Sequence, residues 1–317
     1  MRILIVKVSS LGDIIHTLPA VTDAQRAHPG LTFDWVVEEN FVEVPSWHPA
    51  INKVIPVAIR RWRLNLLKTY LNREFLSFKK VLQGVHYDLV IDAQGLIKSG
   101  IISRLSRGLT VGLSNSTIKE PLANLFYNKA YSVSWDEHAV DRVRQLFSKA
   151  LNYEYHKYPL DYGIKLEKDN PNDTGSKSNN IIFLHGTTRV NKYWPKENWR
   201  KLAKLAIAYG YDVFLPWGTS EEKKRAEFIG EGNLNVKILG KKSLSDLAVV
   251  IIKSKGVIAV DTGLGHLAAA LSKSTVSLYG PTNPALCGTY GRNQIHLKLE
   301  DEPTDVWNKF EKLTNNL

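Results

Sequence analysis

Only one cysteine, Cys287, and one methionine, Met1, occur in 317 residues. A lone cysteine excludes an intramolecular disulfide and suits a reducing cytosol. No apolar run reaches the roughly 18 residues a membrane-spanning helix needs. The opening "MRILIVKVSS" turns polar after Val6, is too short for a signal peptide and reads as a first strand. Metal patterns are missing as well: there is no His-Glu-x-x-His, no Cys/His cluster and no Asp-x-Asp pair to bridge a metal to a diphosphate. The expectation is therefore no obligatory metal and no resident cofactor. The Gly-x-Gly-x-x-Gly fingerprint is absent, which disfavours a dinucleotide-dependent oxidoreductase. Acids are outnumbered, 31 against 42 Lys and Arg, for a net charge of +11. No nucleic-acid recognition motif accompanies that surplus. The anionic partners left are phosphorylated substrates and phospholipid headgroups.

What is present is an alternation of short β-branched runs with longer helical patterns, in a chain that is 44% hydrophobic and long enough for two cores. Strands are predicted at 2–8, 32–37, 53–58, 87–92 and 110–113, with helices at 14–27, 65–83, 96–106 and 137–151. Residues 152–180 are poor in aliphatics and end polar. The alternation then restarts, with strands at 181–185, 212–216, 235–239, 256–260 and 275–279 and helices at 196–209, 220–229, 243–254 and 264–272. This predicts an α/β chain of two doubly wound, Rossmann-like domains, 1–160 and 181–317, joined by a linker at 161–180. A last helix near 303–314 fits against either half. Two such domains are expected to face a central cleft with the carboxyl ends of their strands, where ligands of open α/β sheets bind.

The strand-end loops carry the chemistry. "HGTTRVNKYWP" sets the hydroxyls of Thr187 and Thr188 beside Arg189 and Lys192 just before a helix, a combination suited to phosphate. "LPWGTSEEKK" supplies a Thr219 or Ser220 cap with Glu221 and Glu222 in the first turn. Read alone those acids are helix-start residues, although a carboxylate at such a strand end also suits a ribose diol. "VIAVDTGLGHLAAA" ends a buried strand in Asp261 and opens a helix at Thr262 and Gly263. Its glycines suit close approach of backbone amides to a diphosphate, with His266 in the first turn. Asp261 beside an anion needs sugar hydroxyls or a balancing cation, for which Lys192 is the candidate. In the first half, "VKVSSLGDIIHTLPA" places an acid, Asp13, where a phosphate loop would sit, and "IDAQGLIKSG" puts Asp92, Gln94 and Lys98 at another strand end.

Residues 60–80 hold Arg60, Arg61, Arg63, Lys68, Arg73, Lys79 and Lys80 against one acid, Glu74. Leucine and aromatic residues recur through the stretch. It reads either as a basic amphipathic surface element or as a solvated helix face.

These segments, taken in order with "FDWVVEE", "VIPVAIRRWR" and "YGPTNP", resemble the lipopolysaccharide heptosyltransferase I family over nearly the whole chain. Heptosyltransferase II shares the Asp-Thr-Gly-x-x-His pattern but not the "VIPVAIRRWR" block. The resemblance implies a GT-B fold and an inverting, metal-independent glycosyl transfer. The implied donor is ADP-L-glycero-β-D-manno-heptose, and the implied acceptor is Kdo-lipid A at the cytoplasmic face of the inner membrane. The protein would act there as a cytoplasmic, peripheral enzyme on an anionic membrane surface, with no nucleic-acid partner. It implies Asp13 as general base, and Thr187, Thr188, Lys192, Glu222, Asp261, Thr262, Gly263 and His266 at the donor. Lys242 joins the donor set, standing where a family member has a methionine near the adenine. Arg60, Arg61, Arg63 and Lys98 are the expected acceptor contacts. Glu120 stands where an arginine is expected. Two other readings stay open on the residues alone: another ADP-sugar transferase of the same plan, and a two-lobed binding protein without chemistry.

Overall fold

The computed structural model describes residues 1–64, 72–166 and 179–315. The chain forms two compact units, Met1–Lys165 and Leu166–Leu317. In the first, strands β1 (Arg2–Val6), β2 (Thr32–Glu38), β3 (Ile51–Val57), β4 (His86–Asp92), β5 (Arg107–Leu113) and β6 (Lys129–Tyr131) make one sheet. Its order is β3-β2-β1-β4-β5-β6, and every pairing is parallel. The second unit repeats the plan with β7 (Asn180–Leu184), β8 (Asp212–Leu215), β9 (Val236–Ile238), β10 (Gly256–Val260), β11 (Thr275–Tyr279) and β12 (Gln294–Lys298). Its order, β12-β11-β10-β7-β8-β9, is the same winding, again wholly parallel. In each sheet the order reverses beside the first strand, between β1 and β4 and between β7 and β10. Those are the switch points where the flanking loops part and leave a crevice.

The central strands are buried on both faces, as parallel strands under helices must be. Ile3, Leu4, Ile5 and Val6 of β1 are fully inaccessible, and so are Val257, Ile258 and Ala259 of β10. The edge strands β6 and β12 had no prediction. One is three residues long, too short to show a period, and the other, "QIHLK", alternates polar and apolar over only five residues, with Ile295 and Leu297 packed on the core. The predicted helix 14–27 is two helices, Leu11–Ile15 and Leu18–Ala27. Pro19, at the start of the second, has no N–H to extend a continuous ladder. Of the predicted helix 65–83, residues 65–71, including Lys68, lie outside the described residues, and Glu74–Gln83 is helical.

The stretch expected as a linker divides. Residues 167–178 lie outside the described residues. Residues 161–165 pack on the first unit: Tyr162 is buried, Asp161 pairs with Arg26, and the Lys165 amide donates to the Trp47 carbonyl. Arg144 holds the preceding segment by donating to the carbonyls of Tyr155 and Tyr158 while its Nε meets Asp23 at 2.6 Å. The last helix, Pro303–Asn315, belongs to the second unit, where Val306, Trp307 and Phe310 complete the core. Gly256 makes room for it, since a Cβ there would lie 2.7 Å from the Phe310 ring.

Candidate functional site

At the switch point of the second unit, two loops bring their side chains together. The loop after β7 runs His185–Pro195 and is pinned by Trp194, which is fully buried edge-on against Trp199 at 5.2 Å. A short 3-10 turn, Val190–Lys192, precedes that anchor. Gly280 lets the loop lie close, because a Cβ there would approach the Asn191 carbonyl to 2.9 Å. Lys192 Nζ consequently meets Asp261 Oδ2 at 2.5 Å, with both side chains largely buried. The buried Thr187 hydroxyl donates to the Asp261 carbonyl at 3.0 Å, which ties the two loops together. Thr188 is exposed at the loop's outer edge.

The helix Gly263–Ala270 begins directly behind Asp261. Its N-cap, Thr262, is extended and makes no side-chain cap bond, so the cap hydroxyl does not occupy the first-turn amides. A helix start of that kind is an anion site. His266 is buried in the first turn of the same helix. A Cβ at Gly265 would meet Ala259 at 3.4 Å and Thr289 at 3.6 Å, ordinary van der Waals contact, so packing on the strand does not by itself demand a glycine there.

Glu222 comes from the next loop. Thr219 caps the helix Ser220–Gly230, and Glu222 completes the capping box by accepting from the amides of Gly218 (2.7 Å) and Thr219 (3.2 Å) through Oε2. Oε1 lies over Gly186, where a Cβ would come within 2.3 Å of it. The acid is thus a cap whose second oxygen is brought against the Thr187 loop. Lys242 is exposed, directly before the Ser243 cap of the helix Leu244–Lys253. His185, the first residue beyond β7, is fully buried. Burial, reinforced by the Arg225 charge, lowers its pKa to about 4, so it is neutral at physiological pH.

The first unit places a second constellation at its own switch point. Asp92, fully buried at the end of β4, accepts from the amides of Gln94 and Gly95 and from the hydroxyls of Ser99 and Tyr127. Burial raises its pKa against those bonds. With its acceptor capacity used in this way it is a structural anchor. The Gln94 side chain accepts from the amides of Val8 and Ser9, both at 3.0 Å, and stitches the β4 loop to the β1 loop. Lys98 approaches the Ser9 hydroxyl at 3.5 Å. Asp13 sits half-buried in the first turn of the helix Leu11–Ile15. Its Oδ2 accepts from the Ser10 amide (2.8 Å) and hydroxyl (2.9 Å), which fixes the carboxylate's orientation.

Sequence reasoning missed Lys7, which feels the charge of Asp13, and the first-unit residues His138, Arg142 and Trp135. Lys7 is buried and donates to the Ala93 carbonyl at 2.8 Å. Burial lowers its pKa, while the charges of Asp13 and Asp92 pull the other way. The available signal was a lysine inside the apolar run "ILIVKV". His138 stands 5.6 Å from His16, ring centre to ring centre. Arg142 stacks on Trp135 at 3.6 Å and donates to the Thr117 carbonyl.

The basic cluster is not uniform. Arg60 and Arg63 are exposed, and Arg60 lies over the Phe41 ring at 5.6 Å. Arg61 is engaged within the chain. Its guanidinium holds both oxygens of Glu39 at 3.1 Å and also reaches Glu74. Those two partners raise its pKa, and the hydrogen bonds from Arg61 and Trp62 in turn lower that of Glu74. Glu120, the departure from the expected arginine, accepts from the Ile97 amide at 2.8 Å and so caps the helix Ile97–Leu105.

The family model described as glycosyltransferase family 9 (heptosyltransferase) matches residues 75–315. A Lipopolysaccharide heptosyltransferase 1 of Pseudomonas aeruginosa is 52% identical over 298 residues, spanning 94% of this chain and 83% of that protein. The corresponding Escherichia coli K12 protein is 48% identical over 93% of this chain and 92% of its own. Among solved structures, E. coli heptosyltransferase WaaC with ADP superposes with a TM-score of 0.91 at 44% identity, covering 99% of this chain and all of that one. The same enzyme with ADP-2-deoxy-2-fluoro heptose gives 0.90, again at 44% identity, over 98% and 99%.

Proposed function

The chain belongs to glycosyltransferase family 9, the heptosyltransferases, and on that premise we propose that it moves L-glycero-D-manno-heptose from ADP-L-glycero-β-D-manno-heptose to the Kdo region of Kdo-lipid A, inverting the anomeric centre without a metal. The observation that carries the donor side is the union of Lys192, Thr187 and the uncapped helix start at Thr262–Gly263 at one switch point. Hydroxyls, a cation and oriented amides are what a diphosphate leaving group requires.

In this reading the acceptor hydroxyl gives its proton to Asp13 as its oxygen attacks the anomeric carbon. The bond from that carbon to the phosphate oxygen breaks on the opposite side, and the electron pair leaves with ADP. Lys192, Thr187, Thr188 and the amides of Thr262 and Gly263 stabilise the charge that develops on ADP. Asp261 and His266 take sugar hydroxyls, Glu222 the ribose diol, and Lys242 lies toward the base. Lys98, Arg60 and Arg63 are assigned to acceptor carboxylates and phosphates. Arg61, already paired twice, is assigned to holding that segment in place. A lipid acceptor places the protein as a peripheral enzyme at the cytoplasmic face of the inner membrane. Among the described residues no helix is long and apolar enough to cross a membrane.

A second heptosyltransferase activity is less well supported: the E. coli K12 heptosyltransferase 2 is 23% identical to this chain, against 48% for heptosyltransferase 1 of the same strain. The deciding experiment is a product assay with ADP-heptose and Kdo-lipid A, with and without EDTA. One heptose added per acceptor, at an unchanged rate under chelation, is the expected result. ADP-heptose binding with no product would reassign the chain as a non-catalytic binder.

A further inference from the structure

Three large aliphatic side chains are exposed on two packed elements of the first unit. Ile101 is 43% exposed, Leu122 62% and Leu125 80%. Ile101 lies on the helix Ile97–Leu105, and the two leucines lie on the 3-10 helix Pro121–Phe126. The two elements pack through Gly100, where a Cβ would come within 2.7 Å of the Phe126 ring and 3.2 Å of the Ala123 carbonyl. With three residues per turn, Ala123 and Phe126 share the inward side of the 3-10 helix, while Leu122 and Leu125 eclipse one another on the outward side. On the neighbouring helix Lys98, Ile101 and Arg104 follow at intervals of three and form one ridge, a cation on each side of the aliphatic residue.

The segment that carries these residues is basic. Between 96 and 131 the chain carries Lys98, Arg104, Arg107, Lys119 and Lys129 against a single acid, Glu120. That acid accepts from the Ile97 amide. Exposed apolar side chains on a basic segment, with Lys98 and Arg104 flanking Ile101, match the headgroup–acyl boundary of an anionic bilayer. They match a second copy of the chain poorly, since a two-fold contact would set cation against cation.

We propose that Ile101, Leu122 and Leu125 form a membrane-docking surface for an anionic bilayer, distinct from the Arg60–Arg63 cluster. Its position gives it a purpose. Lys98 begins the ridge and reaches the Ser9 loop beside Asp13, so the surface that enters the lipid adjoins the proposed acceptor end of the first unit. The purpose rests on reading the acceptor as a membrane lipid, whereas the binding itself does not.

The test is co-sedimentation of the full chain with vesicles of phosphatidylethanolamine and phosphatidylglycerol, and with vesicles of phosphatidylcholine alone, in the absence of donor and acceptor. The wild-type protein should bind the anionic vesicles and bind them less as salt rises. Leu122→Ser/Leu125→Ser should weaken that binding about tenfold or more, with thermal midpoint and ADP affinity unchanged. A dye on Leu125→Cys, in a Cys287→Ser background, should shift to the blue on addition of anionic vesicles. Turnover on a soluble acceptor fragment should be untouched by the double substitution, and turnover on vesicle-borne acceptor should fall. Failure of the catalytic reading would remove both turnover signals and leave vesicle binding intact. Binding by the double variant within about twofold of wild type, or a Leu125 dye that stays in water, would overturn the proposal. A concentration-dependent dimer abolished by the double substitution would overturn it in favour of a second copy.

Discussion

Asp13 and Glu222 occupy equivalent positions, each the third residue of a helix that opens beyond a strand. Each holds the amides at its own helix start, so each is pre-oriented at little conformational cost. If Asp13 takes the acceptor's proton, Asp13→Asn keeps the shape and removes the base. Steady-state kinetics should then show turnover reduced by roughly 100-fold or more, with calorimetric ADP affinity unchanged; activity within a few-fold of wild type would assign the proton elsewhere. Gly186→Ala probes Glu222 without touching it. The added methyl would overlap the carboxylate, and a flexible acid moves aside more readily than backbone does. ADP affinity should fall by roughly tenfold with a shift in thermal midpoint of only a few degrees. The Lys192–Asp261 pair was legible as two opposite charges at adjacent strand ends. Lys7 and Arg142 were not, because the Lys7 amine meets Ala93, 86 residues away, and the Trp135–Arg142 stack depends on how the helix Ala139–Leu151 is entered.

At the scale of elements, most strands and helices were readable because their periods are strong. The buried β1 and β10 show runs of β-branched residues, and the helix Ala139–Leu151 has a continuous apolar stripe built on Val143, Leu146 and Phe147. The misses have physical causes. β6 is too short to show a period, and the polar–apolar alternation of β12, with Ile295 and Leu297 on the core, runs over only five residues. Residues 161–165 read as linker because what holds them is distant in the chain: Asp161 pairs with Arg26 and the Lys165 amide donates to the Trp47 carbonyl. Arg144 holds the segment just before them through the carbonyls of Tyr155 and Tyr158, with Asp23 fully inaccessible beside it. Removing one partner of a buried pair strands the other charge. Arg144→Met should therefore destabilise the first unit by about 3–5 kcal/mol, read as a lowered denaturation midpoint in urea, and should loosen residues 155–165 in hydrogen exchange. An unchanged midpoint would show that the pair contributes nothing.

For the whole molecule, two buried histidines set an acid limit, one in each unit. His48 accepts the Ala50 amide at Nδ1, which leaves Nε2 to donate to the Thr22 hydroxyl. Burial lowers its pKa to about 4, as it does for His185. Above the ordinary value of 6.5 neither state binds the proton and stability is flat. As pH falls from 6.5 toward 4, only the unfolded chain takes up protons, so stability is lost at about 1.4 kcal/mol per pH unit for each histidine. Calorimetry at pH 7 and pH 5 should show both units melting earlier at the lower pH, and His48→Gln should flatten the response of the first unit alone. A first-unit midpoint with equal pH sensitivity in that variant would move the cause to other groups.

By itself the sequence determined the class of the fold, the two-fold repetition of its plan and the chemical character of its strand-end loops. Those properties follow from local periodicity and from residue type. Family membership was legible too, from motifs kept in order along the chain. Only the tertiary structure decided which charges meet. It paired Lys192 with Asp261, took Arg61 into a clamp with Glu39 and Glu74, turned Glu120 into a helix cap, and buried Lys7 within reach of the Asp13 charge. A charge acts through its distance to other charges and its exposure to water, and sequence order sets neither.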